Sequence, residues 1–545
     1  MSNCYPYRST LFLLYLLVVF GCSENNQSSV KDTGLVYCSQ GSPETFNPQV
    51  GTSGTSFDAN ARVLFNRLLS IDSATGDILP SLAKQWKKSR DGLIYTLDLR
   101  HEVQFHTTQW FKPSRSFNSS DVLFSFERQA NKDHFFHQVE GMTYNYFNST
   151  GLADNLLDVS AIDHDTVAFH LKEPDPSFLI YLTMEFSSIL SAEYAEHIQK
   201  NNIRKEEIDH KPIGTGPFKL KRYQTDAFIR YTAHPDYMDG AEAIENLVFA
   251  ITPDPSLRYA RLISGECDVM AQPLSSHYQL LKNNPELRVQ HQAGLNIGYW
   301  AFNTLIKPFD NPTVRKALSH AINRETILQT VFNNLGEISN SPLPITMKPY
   351  HNDRLAEIKY DPELAKKLLA EAGYGDGFEM DIWAIPIQRP YNPDGHMMAE
   401  LMQEDLRQIG VKANIVSYNW ATFLNKVSQG EHQTALLGWV ADTQDAGNFL
   451  SNLLSCSAIK SKTNRAFWCN PVFDDLITQA QHTSNMKLKK NLYYSAQEIF
   501  REELPWLPIG SGQSIQASHR DVKNLNIRLT GGISFSGVNK EVPSS

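Results

Sequence analysis

The sequence predicts an α/β protein built from two lobes, and three observations support this. The chain has 545 residues, more than one hydrophobic core normally supports. Hydrophobic residues make up 41% of it and charged residues 20%, the composition of an ordinary soluble globular protein. A strand, helix, strand order follows Asp361, and strands that alternate with helices are typical of α/β folds.

The clearest predicted helix begins after Asp361. Aspartate is a favoured N-cap, and Pro362 suits the first helical turn because its missing N–H has no partner there anyway. Gly373 predicts the helix end, since glycine adopts the left-handed conformation that closes many helices. Apolar residues at positions 364, 368, 369 and 372 would form one buried face.

The segment after this helix alternates as a half-buried strand does. Phe378, Met380 and Ile382 alternate with Glu379 and Asp381, and the alternation would place Trp383 on the polar face. A second helix is predicted from Met397 to Ile409, closed by Gly410. Further strands are predicted over residues 94–99, 166–171 and 411–418.

Charge and motifs exclude several classes of function. Lys plus Arg is 50 and Asp plus Glu is 59, a net charge of −9 with no long basic run, so nucleic acid is not an expected partner. The chain has no Gly-x-Ser-x-Gly elbow, no Walker A loop and no His-Glu-x-x-His motif. We therefore expect no catalysis and no cofactor, with an exported hydrolase of unrecognised site as the alternative.

The seventeen histidines do not predict a metal site. His101 with His106, and His134 with His137, have spacings that could bring two rings together. No nearby cysteine or carboxylate completes a ligand set for either pair. Surface or core positions explain these histidines better, and we expect no bound metal.

The amino terminus is typical of an export signal over residues 1–22. Arg8 precedes an apolar run of about ten residues, which is shorter than the roughly 20 that span a bilayer. The run ends at Val19-Phe20-Gly21-Cys22, which resembles a lipobox and predicts lipidation of Cys22. Residues 23–31 would then be a flexible tether. The alternative is a simple cleaved signal that removes Cys22.

Two polar, turn-rich segments are the candidate ligand-binding elements. Residues 385–393 contain Arg389, and residues 438–449 contain Asp442. These two ions could pair with the carboxylate and the ammonium of a peptide zwitterion. The alternative is that Asp442 caps its own turn and Arg389 forms an internal salt bridge.

Motifs spread along the chain indicate a family. They are Leu35–Glu44 with Phe46–Pro48, Trp86 with Asp91-Gly92 and Tyr95, Phe117-Asn118 with Asp121-Val122, Gly214–Phe218, and Val314-Arg315 with Ala317-Leu318. In their order and spacing the chain resembles the dipeptide-binding proteins that serve bacterial ABC importers, within the family 5 peptide and nickel solute-binding proteins. The segments Leu454–Ile459, Phe467–Cys469 and Ser534–Val538 are at least as similar to the Sap branch, which is linked to antimicrobial peptides.

The resemblance implies a two-lobed periplasmic-binding-protein fold with an inserted subdomain in lobe one and a ligand cleft between the lobes. Lobe one would cover residues 32–295 and 512–545, and lobe two residues 296–511. The two crossings, near Asn296 and Gly510, would act as the hinge. Clefts between lobes commonly bind ligands and close by hinge motion.

The resemblance also implies a function. We expect a periplasmic, lipid-anchored monomer that binds short peptides, most of all dipeptides, and delivers them to the permease of an ABC transporter. Haem or antimicrobial peptides are the alternative cargoes. The chain departs from the dipeptide branch after Asp445, where Ala446 and Gly447 replace a proline and an aspartate. The ligand-binding set inferred from this pattern is Asp442, Arg389, Gly438, Trp439, Trp420, Tyr391, Thr52 and Gly54.

Cysteine usage fits an oxidising compartment. Two of the six cysteines lie in the signal, which leaves an even set of four with three possible pairings. Cys456 and Cys469 bracket a short polar loop and are natural partners, which leaves Cys38 with Cys267. The resemblance implies the same two disulfides.

Overall fold

The structure is a computed structural model that describes residues 34–51, 53–72, 77–139, 141, 143–441, 443–483, 485–527 and 532–541. The export signal, the tether and the lipidation site Cys22 lie outside these ranges, as do Thr52 and Asp442. No helix within the ranges is both long and apolar enough to cross a bilayer.

The described residues form strands along the whole chain. The strands are β1 Gly34–Ser39, β2 Leu69–Ile71, β3 Ile78–Pro80, β4 Ala83–Lys88, β5 Ile94–Leu99, β6 Leu156–Asp163, β7 Thr166–Leu171, β8 Phe218–Gln224, β9 Phe228–Ala233, β10 Asn246–Ile251, β11 Val269–Met270, β12 Leu287–Ala293, β13 Asn296–Phe302, β14 Gly336–Ile338, β15 Glu379–Trp383, β16 Lys412–Val416, β17 Thr434–Val440, β18 Trp506–His519, β19 Val522–Lys523 and β20 Asn539–Lys540.

Helices alternate with these strands. The α-helices are α1 Gly54–Ala59, α2 Ser119–Ala130, α3 Asn145–Ser149, α4 Leu152–Asn155, α5 Phe178–Tyr181, α6 Ala192–Lys200, α7 Glu207–His210, α8 Pro255–Ile263, α9 Tyr278–Lys282, α10 Pro312–Ala321, α11 Arg324–Thr330, α12 Pro362–Glu371, α13 Gly395–Arg407, α14 Trp420–Ser428, α15 Gly447–Leu454, α16 Cys456–Lys460, α17 Pro471–His482 and α18 Met486–Glu503. Short 3₁₀ helices cover Glu185–Ser187 and Ser275–His277.

The elements predicted from the sequence are present. Asp361 caps α12, its side chain accepting a hydrogen bond from the Leu364 backbone N–H. Strands β5 and β7 have the predicted bounds, and they belong to a separate four-stranded sheet of order β4-β5-β7-β6. Helix α13 begins two residues before the predicted Met397 because Asp394 is its N-cap.

Trp383 differs from its predicted position. It is only 4% exposed, although the alternation placed it on the polar face. Its strand β15 lies between β16 and β17 and pairs with both in parallel. Strands of this kind are buried on both faces, so an apolar residue is accommodated on either side.

Two hydrophobic cores define the two lobes. The first draws on residues from Leu35 to Ala271 and again from Val522 to Val538, and the second on residues from Leu295 to Ile509. The N-terminal part of the chain therefore forms the first core, the middle part forms the second, and the C-terminal part belongs to the first again. Sheet order follows the same path, β16-β15-β17-β13-β18-β11-β1-β10-β9-β8, with the second lobe's strands at one end and the first lobe's at the other.

Strand β18 joins the two halves of this sheet. Its first part pairs with β13 and β14 of the second lobe, and its last part with β11 and β12 of the first. Gly510, near which the sequence analysis placed a hinge crossing, and Gly512 both lie within this strand. Glycine is required there for close approach: a Cβ on Gly510 would lie 2.6 Å from the Glu337 carbonyl oxygen, and one on Gly512 1.8 Å from that of Pro390.

Both expected disulfides are present, one in each lobe. Cys38 in β1 pairs with Cys267 just before β11, and both are buried in a small cluster of their own beside the first core. Cys456 pairs with Cys469 across a sequence separation of 13. The second disulfide closes the segment between α16 and α17 at the edge of the interlobe cavity, which Thr463 and Arg465 line.

Candidate functional site

A cavity of about 690 Å³ lies between the two lobes. Tyr37 and Asp58 contribute to its wall from the first lobe, Arg389 and Trp439 from the second, and residues 513–516 of β18 from the strand that joins them. The volume is in the range of small-molecule binding sites. Its position between two separate cores makes it the candidate ligand site.

Most of the residues predicted to bind ligand meet at this cavity. Six of them line it, and these are Gly54, Arg389, Tyr391, Trp420, Gly438 and Trp439. Thr52 and Asp442 lie outside the described residues. Ser53, which follows Thr52, and Val440, two residues before Asp442, both line the cavity.

Arg389 sits on a tight turn that is pressed against the sheet. Its backbone N–H donates to the Asn392 carbonyl and its own carbonyl accepts from the Asn392 N–H, both at 3.0 Å. The turn rests on glycines of three neighbouring strands. A Cβ on Gly298 would lie 2.2 Å from the Tyr391 carbonyl oxygen, and one on Gly438 2.1 Å from Tyr391 Cδ2. Gly438 is therefore needed so that Tyr391, and with it the Arg389 turn, can lie flat on the strands.

The Arg389 guanidinium has an aromatic neighbour and no acidic one among the described residues. Its Cζ lies 5.2 Å from the centroid of the Trp420 ring, a cation–π distance. No described carboxylate forms a salt bridge with it. Burial raises the pKa of the Tyr391 hydroxyl, and the positive charge of Arg389 beside it opposes the rise. An internal salt bridge, the alternative role for Arg389, is not found within the described ranges.

The two tryptophans are fixed by the second lobe. Trp420 begins α14 and stacks on Phe423 at 5.8 Å between ring centroids. The Trp439 indole N–H donates to the Asn448 side-chain oxygen at 2.8 Å. Both rings pack against the second core and are half-buried, so each presents part of its surface to the cavity.

Gly54 has a different environment from Gly438. It is the first residue of α1, and Ser53 caps this helix. A Cβ at Gly54 would meet no atom within 4 Å. The protein itself therefore does not require glycine at this position, whereas it does at Gly438.

Asp445, next to the site, is engaged within its own lobe. Its carboxylate accepts from the Lys489 ammonium, from the Tyr493 hydroxyl at 3.0 Å and from the Gly447 N–H at 2.8 Å. Lys489 and Asp445 are both largely buried. These contacts fix the start of α15.

Sequence reasoning missed two arginines of the cavity wall. Arg62 pairs with Asp58 and, at 3.0 Å, with Glu185, so it is a compensated charge of the first lobe. Arg465 lies in the segment closed by the Cys456–Cys469 disulfide. No local motif marks either residue, because their neighbours come from distant parts of the chain.

Three of the histidines considered as metal ligands make contacts with the backbone of the protein. The buried ring of His106 contacts the Gly216 carbonyl oxygen at 2.9 Å, and burial lowers its pKa to about 3. His134 Nδ1 accepts from the Phe136 N–H, and His137 Nδ1 lies 2.8 Å from the Arg128 carbonyl oxygen. In the part of the chain that the structure describes, no group of three or more His, Cys, Asp or Glu residues could hold a metal ion.

Comparison with known proteins agrees with this geometry. Residues 77–461 match the model of the bacterial extracellular solute-binding proteins, family 5 Middle. The chain is 42% identical over 514 residues to the dipeptide-binding protein of Escherichia coli, covering 94% of this chain and 96% of that protein. It is 40% identical over 513 residues to haem-binding protein A of Haemophilus influenzae, covering 92% and 93% of the two chains.

A solved structure is similar throughout. The dipeptide-binding protein of Pseudoalteromonas sp. SM9913 in complex with Met-Leu matches with a TM-score of 0.84 and 43% identity, covering 93% of this chain and 100% of that one. The matched region includes both lobes.

Proposed function

Because the chain belongs to the bacterial extracellular solute-binding proteins of family 5, we propose that it binds short peptides in its interlobe cavity and delivers them to an ABC importer. The observation that most supports peptide binding is Arg389, a half-buried guanidinium on the cavity wall with no acidic partner among the described residues. An arginine that is held on an aromatic ring and has no acidic partner among the described residues suits a ligand carboxylate, which its planar fork can bind through two hydrogen bonds.

In this proposal the two ends of a peptide are recognised by opposite charges. Arg389 binds the terminal carboxylate, and Asp442 binds the ammonium. Asp442 lies two residues after Val440 in the chain, and Val440 lines the cavity. An extended two-residue peptide spans at most roughly 7 Å between its ends. Fixing both ends in this way selects for length, and dipeptides are the expected class. The Met-Leu complex of a relative supports this.

Backbone groups and aromatic rings complete the proposed site. Gly438 keeps Tyr391 and the Arg389 turn in place, and Trp420 and Trp439 offer flat surfaces to peptide side chains. Gly54, with open space where a Cβ would stand, leaves room for the peptide main chain near α1. Thr52, just before this helix, is proposed to contact the same part of the ligand.

Delivery depends on hinge closure. We place lobe one at residues 32–295 and 512–545 and lobe two at residues 296–511, in line with the division of the hydrophobic cores. The hinge lies where β13 and β18 connect the lobes. The closed, loaded monomer docks on the membrane permease, whose separate ATPase supplies the energy. No catalytic step is assigned to this chain.

The proposed location is the periplasm, as for this class of binding protein. Residues 1–22 act as the export signal, and Cys22 receives the lipid that tethers the mature chain through residues 23–31. These residues lie outside the described ranges, so the anchor rests on the sequence pattern alone.

Haem is the second candidate ligand. A relative 40% identical to this chain is named as a haem-binding protein. The cavity wall combines aromatic rings with two arginines, Arg389 and Arg465, which could meet the two carboxylates of a haem. Antimicrobial peptides, suggested by the Sap-like segments, are a third cargo.

The ligand retained by the protein tests this function. Mass spectrometry of gently purified protein should release a mixture of dipeptides, and titration of ligand-free protein with Met-Leu should give saturable binding. A Soret band in the purified protein with no binding of Met-Leu would instead assign haem. Turnover of peptide substrates by the pure protein would support the hydrolase alternative.

A further inference from the structure

Arg465 is a second cation of the cavity wall whose charge has no partner among the described residues. It lies between Asn464 and Ala466, in the segment that the Cys456–Cys469 disulfide closes. No described carboxylate lies within salt-bridge distance of its guanidinium, and its Nη1 is buried without any hydrogen-bond partner. Arg62, an arginine that the first lobe contributes to the cavity, is by contrast paired with two carboxylates.

The backbone around Arg465 is held rigidly. The His432 Nε2–H donates to the Arg465 carbonyl at 2.9 Å, and the Thr304 N–H and hydroxyl both donate to the Ala466 carbonyl, at 2.9 and 3.0 Å. The Asn464 side chain donates to the Trp468 carbonyl at 2.8 Å. Asn464 and Ala466 are buried, whereas Arg465 is half-buried and lines the cavity. The segment therefore aims one cationic side chain at the cavity from a fixed backbone.

Arg465 and Arg389 both line the cavity from the second lobe. Tyr299 also lines the cavity, and burial raises the pKa of its hydroxyl, with a smaller lowering by the charge of Arg465 and a smaller rise from Tyr391. Burial lowers the pKa of Arg465, and Tyr299 opposes this. The two tyrosines thus link the surroundings of Arg389 to those of Arg465.

Leaving a partly buried guanidinium without a counter-charge is costly, and the cost is removed when an anion arrives with the ligand. Since Arg389 is assigned to the terminal carboxylate of a dipeptide, Arg465 is left for a carboxylate that Arg389 does not bind. We propose that Arg465 is a specificity residue that binds a carboxylate of the peptide ligand that Arg389 does not bind. This inference rests on the proposed function.

This carboxylate has two possible sources. It is either the acidic side chain of an Asp- or Glu-containing dipeptide, or the terminal carboxylate of a longer peptide that reaches past Arg389. Both present the same chemistry to the guanidinium. Matched peptides separate them.

Isothermal titration calorimetry tests the inference. Wild-type protein and Arg465→Gln are titrated with Ala-Glu, Ala-Gln, Glu-Ala, Gln-Ala and Ala-Ala-Ala. If the side chain is the source, wild type should prefer a Glu peptide to its Gln counterpart by on the order of tenfold or more. Arg465→Gln should abolish that preference while binding of the Gln peptides changes little. If the longer peptide is the source, Arg465→Gln should selectively lose Ala-Ala-Ala.

Two further variants isolate the effect of position. Lys460→Gln removes one positive charge from an exposed site of the same disulfide-closed segment and should leave the preference intact. Arg465→Lys should restore part of it, because lysine keeps the charge without the fork. Thermal unfolding of each variant checks that it is folded.

The outcomes distinguish this inference from the proposed function. If wild type binds Ala-Gln and Ala-Glu with equal affinity, and Arg465→Gln changes the affinity for no peptide selectively, the proposed role of Arg465 is overturned. The peptide-binding function would still stand. Wild type that binds none of the five peptides would overturn the peptide-binding function and this inference with it.

Discussion

Gly438 lies directly against the ring of Tyr391, so that a Cβ at position 438 would stand 2.1 Å from Tyr391 Cδ2. Tyr391 is two residues from Arg389 within the same turn. A strand residue without a side chain thus determines the position of the cation proposed to bind the ligand.

Gly438→Ala should disturb the site and the fold together. The added methyl must displace Tyr391, and such overpacking typically lowers the free energy of unfolding by about 1 to 3 kcal/mol. Displacement of the turn should also weaken dipeptide binding by on the order of tenfold, about 1.4 kcal/mol. Calorimetry and urea denaturation measure the two effects. Gly41→Ala, where a Cβ meets nothing within 4 Å, is the control and should change neither. Unaltered affinity in folded Gly438→Ala would show that the position of Tyr391 does not matter.

The two disulfides should have different effects when removed. In the chain-entropy model the long loop closed by Cys38–Cys267 contributes roughly 5 kcal/mol and the short loop closed by Cys456–Cys469 about 3 kcal/mol. The short loop contains Arg465, so the double variant Cys456→Ser/Cys469→Ser should weaken ligand binding while the protein is still folded. Cys38→Ser/Cys267→Ser should lower stability without altering affinity. Peptide mapping that finds other pairings, or a reversed order of effects on affinity, would contradict this.

His432 should make the protein less stable in acid. It is fully buried, and its pKa is lowered to about 4, chiefly by burial. The unfolded state therefore takes up a proton below pH 6.5 that the folded state does not. The full unfolding free energy is therefore present above pH 6.5 and falls as the pH drops towards 4. At pH 4 the loss due to His432 is roughly 3 kcal/mol.

Urea denaturation between pH 4 and 7 measures this loss. The unfolding free energy of His432→Gln should decline less steeply with falling pH than that of wild type. Part of the decline should remain in the variant, because the pKa of His106 is also lowered. His396→Gln, at an exposed position of α13, should follow the wild-type curve. Identical slopes for His432→Gln and wild type would exclude a contribution from His432.

Much of this organisation is readable from the sequence. Capping by Asp361 and the strand over residues 94–99 depend on short-range chemistry that residue types reveal. The short loop between Cys456 and Cys469 predicts their disulfide and leaves Cys38 to pair with Cys267, as the family resemblance also implies. Trp383 was misplaced because its burial depends on neighbouring strands and not on its own segment.

Other features arise from long-range contacts. Gly510 and Gly512 look like loop residues, yet both lie in β18, where the Glu337 and Pro390 carbonyls approach them. Arg465 carries no motif, and only the fold places it on the cavity. Such residues cannot be recognised until the distant segments that surround them are known.

Cys22 should anchor the mature protein to a membrane. Wild-type protein should fractionate with membranes and carry the mass of a lipid, and Cys22→Ala should be released or fail to mature. The exposed variant Lys460→Gln is the control for expression and fractionation. Recovery of wild-type protein as a soluble periplasmic species without lipid would favour the simple cleaved signal.

Arg389 and Asp442 should each account for one end of the ligand. Removing either ion leaves its ligand partner buried and unpaired, which should weaken Met-Leu binding by roughly 2 to 5 kcal/mol. Arg389→Lys should recover only part of the loss from Arg389→Gln, because lysine lacks the guanidinium fork. If Arg389 serves only the fold, Arg389→Gln will lower the unfolding free energy and leave affinity unchanged.

The most direct measurement is calorimetric titration of ligand-free wild-type protein with Met-Leu, N-acetyl-Met-Leu and Met-Leu amide. We expect Met-Leu to bind and each blocked peptide to lose affinity by roughly the 2 to 5 kcal/mol of one buried charge pair. Arg389→Gln should bind Met-Leu amide and Met-Leu with equal affinity. Asp442→Asn should bind N-acetyl-Met-Leu and Met-Leu with equal affinity. Equal affinity of wild type for all three peptides, or no binding of Met-Leu, would contradict recognition of both peptide ends.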